Sequence, residues 1–278
     1  MKPKMLFGTA GVPHSSGRPD SISGIERISA LKLDAMELEF VRGVHMSEET
    51  AQAVGKASRE NNVMLRVHAP YFINLNSSEK KKIEASKKRI FDSARIGEIC
   101  GARIVTFHPA YYGEGGKEEC MWNVENALNE LLNEMQSRII KIVLAPETTG
   151  KGSQFGSLKE TLELCRRIPE IMPMVDFSHL HARENGRFKT KGDFVEAVNE
   201  IKKSNRKFLE NLQMHVSGIN FSAKGERNHM NMQERGNTFN YKWLLEALHG
   251  ENASGCIICE SPNLEEDALL MKKYWESL

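Results

Sequence analysis

Met174-Val175-Asp176-Phe177-Ser178-His179 is a short apolar run that ends in an aspartate and, three residues later, a histidine. Five other segments have the same form: Leu65-Arg66-Val67-His68, Ile104-Val105-Thr106-Phe107-His108, Ile142-Val143-Leu144-Ala145-Pro146-Glu147, Leu212-Gln213-Met214-His215 and Cys256-Ile257-Ile258-Cys259-Glu260. Each is short enough for a buried strand, and each leads into a polar or Pro/Gly/Ser/Asn-rich turn. In a barrel of parallel strands, the C-terminal strand ends converge on one mouth. Histidines and carboxylates gathered there would form a metal site.

The rest of the chain supplies the elements such a barrel needs. Strand-like segments fall at 5–9, 35–41, 63–68, 103–108, 141–147, 171–177, 212–216 and 256–260. Helical periodicity fills 21–33, 47–60, 78–100, 117–138, 157–167, 192–204, 241–249 and 264–277, with Ser47 as an N-cap. Eight alternating β and α units in 278 residues predict a closed (β/α)8 TIM barrel, a single domain over 1–278. A doubly wound open sheet is the alternative, and it would string the polar strand ends along an edge. The longest stretch without periodicity, 217–239, reads as a functional loop.

Composition excludes several classes. The chain is 40% hydrophobic and 27% charged, with a formal net charge of +1, so nothing in its overall charge argues for a polyanion partner. No apolar run approaches the roughly 18 residues of a membrane span. Met1 to Gly8 carries two lysines without the apolar core of a signal peptide, so a cytoplasmic protein is expected. Five irregularly spaced cysteines do not make a disulfide framework. Cys256 and Cys259 form a CxxC, but on a strand they point to opposite faces and read as packed thiols. The loop 148–156 is Gly-rich without the spacing of a P-loop, and the lysine run at 80–82 reads as a solvated helix face.

Strand parity supports one site. Ile104, Thr106 and His108 share a face, as do Val143, Ala145 and Glu147, Met172, Met174 and Asp176, and Cys256, Ile258 and Glu260. A single strand-end histidine is usually only hydrogen-bonded or solvated; six strands ending alike are not. Neighbouring carboxylates without a cation would force one another to protonate. Mixed imidazole and carboxylate donors suit Zn2+, with Mn2+ as a possible substitute. His68, His108, Glu147, Asp176, His179, His215, His229 and Glu260 exceed one ion's capacity and ask for two or three, with Glu147 a natural bridge. Three zinc ions against Glu147, Asp176 and Glu260 would leave a positive mouth suited to a phosphate.

Taken together, His68-Ala69-Pro70-Tyr71-Phe72-Ile73-Asn74-Leu75, Phe107-His108-Pro109, Glu147-Thr148-Thr149-Gly150-Lys151-Gly152, Val175-Asp176-Phe177-Ser178-His179, Met214-His215 and Cys259-Glu260-Ser261-Pro262 resemble the endonuclease IV family of apurinic/apyrimidinic endonucleases. These are zinc-dependent DNA repair enzymes on a TIM barrel, and the matching pieces span nearly the whole chain in the family's order. The resemblance implies a trinuclear cluster: His68, His108 and Glu147 on one ion, Glu147, Asp176, His215 and Glu260 on the second, His179, His229 and a further carboxylate on the third. It implies hydrolysis of the phosphodiester 5′ to an abasic site in double-stranded DNA, with Glu147 and Glu260 as the catalytic carboxylates and the protein acting as a monomer. Arg42, Tyr71 and Phe72 fall where family members insert side chains into the duplex.

One departure matters. The family's third ion draws an aspartate two residues before the histidine, and here that position is Arg227. Arginine stays protonated and cannot ligate. Either Glu226 takes the role, or Arg227 supplies positive charge to a phosphate beside two ions. The alternative function is a single-metal sugar isomerase or epimerase of the xylose-isomerase-like superfamily, using Glu147, Asp176, His215 and Glu260 alone, with Glu147 and Glu260 moving protons. That reading leaves His68, His108, His179 and His229 without a task. A barrel that binds damaged DNA or a sugar phosphate without turnover is the third.

Overall fold

The computed structural model describes residues 4–278; Met1, Lys2 and Pro3 of the lysine-bearing N-terminal segment lie outside the described residues. Its strands are β1 (Met5–Ala10), β2 (Ala35–Glu39), β3 (Met64–His68), β4 (Ile104–Phe107), β5 (Val143–Pro146), β6 (Met174–Asp176), β7 (Leu212–Val216), β8 (Gly218–Ser222), β9 (Gly225–Met230) and β10 (Gly255–Cys259). The helices are α1 (Ser21–Ala30), α2 (Glu48–Asn61), α3 (Lys80–Cys100), α4 (Gly116–Ser137), α5 (Leu158–Arg167), α6 (Phe177–Arg183), α7 (Lys191–Ser204), α8 (Arg206–Glu210), α9 (Tyr241–Gly250) and α10 (Glu265–Glu276). Eight strands form one parallel sheet in the order β5-β4-β3-β2-β1-β10-β7-β6. The sheet closes where β5 meets β6: Met172 N–H donates to the Leu144 carbonyl at 3.1 Å and Thr148 N–H to that of Met174 at 3.0 Å. This is a single-domain (β/α)8 barrel, and the open-sheet alternative falls away.

Strand alternation divides the residues between two cores. Val67, Val105, Phe107, Leu144, Val175, Met214 and Ile257 point outward and join the helices in one large apolar layer. Each such side chain, fully buried, contributes roughly 1.5–3 kcal/mol. Inside the barrel the apolar clusters are small: Ala35, Cys256 and Ile258 on one side, Ile104, Ala145 and Met174 on the other. Above that thin floor the interior is polar. Cys256 and Cys259 fall on opposite sides of β10, and all five cysteines are free.

The helices start where the sequence places stop-and-start residues. The Ser47 side chain accepts from Thr50 N–H ahead of α2, and Ser157 and Glu160 form a reciprocal capping box ahead of α5. Among the described residues no helix is long and apolar enough to cross a membrane. Two features depart from expectation. The sixth strand is shorter than 171–177: it runs only from Met174 to Asp176, where Asp176 ends it and caps α6. The loop 217–239 begins as an antiparallel hairpin, β8 with β9, folded over the barrel mouth.

Candidate metal centre

Each ligand candidate is placed by a local device. Asp176 is both the last residue of β6 and the N-cap of α6, its Oδ1 accepting from His179 N–H at 2.8 Å. One turn of helix therefore returns His179 to the same point, with Nδ1 3.2 Å from Asp176 Oδ2. His68, at the end of β3, donates from Nδ1 to the Ala69 carbonyl at 2.7 Å, which turns Nε2 toward Glu147 Oε2, 3.3 Å away. His108 Nε2 lies 3.2 Å from that same oxygen. The other Glu147 oxygen, Oε1, is 2.9 Å from His215 Nδ1. One carboxylate thus faces two sets of donors.

The side chains fall into three groups whose ligand atoms lie within 4.8 Å of one another: His68 with His108 and Glu147; Glu147 with Asp176, His215 and Glu260; and His179 with Glu226 and His229. All eight histidine and carboxylate candidates meet here. Glu226 completes the third group, its Oε2 3.5 Å from His179 Nε2 and its Oε1 3.8 Å from His229 Nε2. Arg227 is exposed.

The hairpin explains how Glu226 and His229 come to the same side. Residues three apart on a regular strand point to opposite faces. Here Asn220 pairs with Asn228 and Phe221 with Glu226, so Arg227 is the extra residue of a β-bulge. The bulge resets the alternation and turns Glu226 inward. Gly150 and Gly225 let the hairpin approach: a Cβ on Gly150 would lie 2.5 Å from Glu226 Oε2, and one on Gly225 2.3 Å from the Gly150 carbonyl oxygen. Glu226 N–H donates to that carbonyl at 2.9 Å.

The electrostatics fit cations. Burial alone would raise Glu147, but His215 and His108 hold it well below the usual carboxylate range. Burial raises Asp176 and Glu260. Asp176 Oδ2 and Glu260 Oε2 are buried without a hydrogen-bond partner, which is the condition a bound divalent ion relieves. The donor set of imidazoles and carboxylates suits zinc or manganese.

Two carboxylates near this cluster come from β2 and escaped the sequence reading. Glu37 is fully buried and accepts from His215 Nε2 at 2.8 Å, with Arg66 Nε 3.5 Å from its other oxygen. Burial pushes against its ionisation, yet His215 and Arg66 hold it at about 2. Glu39 pairs in register with His68 and has a buried, unpartnered Oε1; burial raises it to about 8. In Ala-Met-Glu-Leu-Glu the alternation was visible, but apolar Met36 and Leu38 face the helices while the glutamates line the barrel. Arg66 offsets the charge of Glu37 and burial works against ionisation of Glu39, so of the three added carboxylates Glu226 is the one that lowers the positive charge expected at the mouth.

The duplex-contact candidates all lie at the surface. Arg42, Tyr71 and Phe72 are exposed, the two aromatics at 55% and 68%. Tyr71 N–H donates to the Val41 carbonyl, joining the loops after β2 and β3, and its ring stands 5.8 Å from that of His68. His181, on the same short helix α6, is a packing residue: Nε2 bonds Thr238 Oγ1 at 2.9 Å and the ring stacks on Phe188.

Fold and site together define a parallel α/β barrel that gathers its candidate metal ligands at the C-terminal strand ends. The chain belongs to the xylose isomerase-like TIM-barrel family, whose model matches residues 25–276. It is 38% identical over 275 residues to "Uncharacterized protein MJ0133" of Methanocaldococcus jannaschii, covering 99% of this chain and 98% of that one. It is 28% identical over 161 residues to "Probable endonuclease 4" of Aquifex aeolicus, covering 57% of this chain and 56% of that one. Among solved structures, endonuclease IV from Thermus thermophilus superposes with a TM-score of 0.73 at 16% identity, over 99% of this chain and 100% of that one. A D-tagatose 3-epimerase-like protein does so at 0.70 and 20%, over 97% and 96%. The family match and the endonuclease 4 relatives bear out the resemblance to endonuclease IV; the structural likenesses speak for the fold.

Proposed function

We propose that the protein is a metal-dependent phosphodiesterase that cleaves DNA 5′ to an abasic site, working in the cytoplasm as a DNA repair enzyme. The observation that carries this reading is the presence of three ligand groups rather than one. A mononuclear sugar enzyme needs only Glu147, Asp176, His215 and Glu260; the groups built on His68 with His108 and on His179 with His229 would be superfluous. Divalent cations, zinc by the donor set, would supply Lewis acidity toward a phosphate and acidify a water molecule.

The chain's own groups divide the remaining work. Glu147 presents one oxygen to each of two groups and so fixes their separation. Glu260, with its unpartnered oxygen at the mouth, is placed to hold the proton of an attacking water. Tyr71 and Phe72, exposed beside His68, offer flat apolar faces to a duplex opened at a missing base, and Arg42 and Arg227 offer charge to its backbone. An abasic nucleotide must leave the helix to reach ligands this deeply seated.

One observation favours sugar isomerisation or epimerisation on a single metal. Glu39 turns a carboxylate toward His68 at the mouth, where it suits a sugar hydroxyl better than a phosphate. The deciding experiment is incubation of the zinc-loaded protein with a duplex bearing one abasic site. Nicking that leaves a 3′ hydroxyl, abolished in a folded Glu260→Gln variant, is the expected result. No nicking, together with solvent deuterium entering a ketose, would move the assignment to the epimerase class.

A further inference from the structure

His215 is held at both ring nitrogens by carboxylates. Nδ1 faces the cluster, 2.9 Å from Glu147 Oε1 and 3.4 Å from Glu260 Oε1. Nε2 faces the opposite way, into the barrel, 2.8 Å from Glu37 Oε1. An imidazole that ligates through Nδ1 must keep its proton on Nε2, and Glu37 is the acceptor that waits there. Behind Glu37 stands Arg66, its neighbour in register across β2 and β3 and fully buried. Its Nε is 3.5 Å from Glu37 Oε2, and its Nη2 lies against Met174 Sδ at 3.2 Å.

We infer that Glu37 is a positioning residue for the cluster: it fixes the Nε2–H tautomer of His215 and turns Nδ1 toward the other ligand candidates, while Arg66 stands behind it as the counter-charge in the closed interior. The inference rests on the cation-binding reading of the cluster. Carboxylates behind a ligating imidazole orient the ring and strengthen it as a donor, and losing one typically costs roughly 10- to 100-fold in metal affinity. Arg66 and Glu37 bury two charges where apolar side chains would fill the barrel at no electrostatic cost. Neither Nε nor Nη1 of Arg66 has a hydrogen-bond partner, so the guanidinium serves Glu37 as a counter-charge rather than as a clamp.

The test is zinc affinity by chelator competition, read apart from catalysis. Glu37→Gln alone strands a buried, unpaired arginine and strongly destabilises the barrel. The decisive variant is therefore Glu37→Gln with Arg66→Met, which removes both charges together, with Arg66→Met alone as its control. The expected result is a folded double variant that binds one zinc equivalent roughly 10- to 100-fold more weakly, while Arg66→Met, which leaves Glu37 against His215 but without its counter-charge, is expected to fall between wild type and the double variant. Should the double variant not fold, Glu37→Asp, which keeps the charge but withdraws it from Nε2, is expected to lose affinity in the same way. Wild-type affinity in the double variant, or in Glu37→Asp, would reduce Glu37 to a partner for Arg66 and overturn the inference. A wild-type protein that binds no zinc would overturn the cation reading itself.

Discussion

Glu226 decides whether the outermost ligand group is complete. His179 and His229 alone offer two imidazoles, and a zinc site needs a third protein donor. Glu226 stands between them, held below its ordinary range by His179 and His229 against the opposing effect of burial. Glu226→Gln is expected to bind one zinc fewer per chain than wild type, measured by elemental analysis after gel filtration. Arg227→Ala is expected to keep the full complement, since that side chain turns outward. Equal zinc content in wild type and Glu226→Gln would remove Glu226 from the site. At this scale the sequence was legible wherever a polar residue ended an apolar run. It was opaque at Glu37 and Glu39, because a glutamate alternating with Met36 and Leu38 looks the same whether its face meets water or a barrel interior. At Glu226 it left two alternatives open, because a bulge leaves no signature in residue type: three-residue spacing reads as opposite faces until the pairing register is known.

The hairpin β8–β9 is the element that turns a two-group mouth into a three-group one, and its seat is the turn after β5. Thr148 to Gly156 was legible as Gly-rich and not as a phosphate cradle, but not as a docking surface, since Glu226, for which Gly150 makes room, lies 76 residues further on. Gly150→Ala would drive a methyl into Glu226, with its Cβ 2.7 Å from the new one. The expected outcome is a loss of about 1–3 kcal/mol in stability and of the third zinc, with the zinc bound by the other two groups retained; unchanged zinc content would show the hairpin seated some other way. Helix α5 carries a second testable device. Glu160 accepts from Ser157 N–H and Oγ–H and from Tyr112 O–H, and these bonds, with Arg183 nearby, outweigh burial and lower its pKa from 4.5. A lowered carboxylate stabilises the fold above its ordinary pKa, and that contribution is lost as pH falls through the folded value. The stability gap between wild type and Glu160→Gln, followed by thermal melts from neutral to acid pH, is therefore expected to be full at neutrality and to close only below pH 4.5. A gap independent of pH would assign the effect to packing. The short helix α6 went unread for a related reason: Phe177-Ser178-His179-Leu180-His181-Ala182-Arg183 is buried almost throughout, so it carries no polar stripe to mark a helix.

At the scale of the molecule, the barrel was legible because its two periodicities differ: short strand runs alternate with helices that carry caps and amphipathic faces. Closure was not written in any one strand; it follows from Thr148 and Met172 bridging β5 and β6. The architecture has a cost. Glu37, Glu147 and Asp176 are fully buried, Glu39 and Glu260 partly so, in a space whose apolar floor is thin. Without cations, like charges at this spacing repel or take up protons, and either outcome destabilises the fold. Ligands that bind only the folded state stabilise it by mass action, about 4 kcal/mol for one site at a thousandfold excess over its dissociation constant. For a domain of this size each kcal/mol moves the midpoint by about 2 °C or somewhat more. Zinc-loaded protein is accordingly expected to unfold on the order of 8 °C or more above chelator-treated protein at the same scan rate, and adding zinc back to the stripped form is expected to restore the difference. Coincident transitions would mean that the barrel tolerates its buried carboxylates unaided, and the reason for gathering them at one mouth would have to be sought in something other than cations.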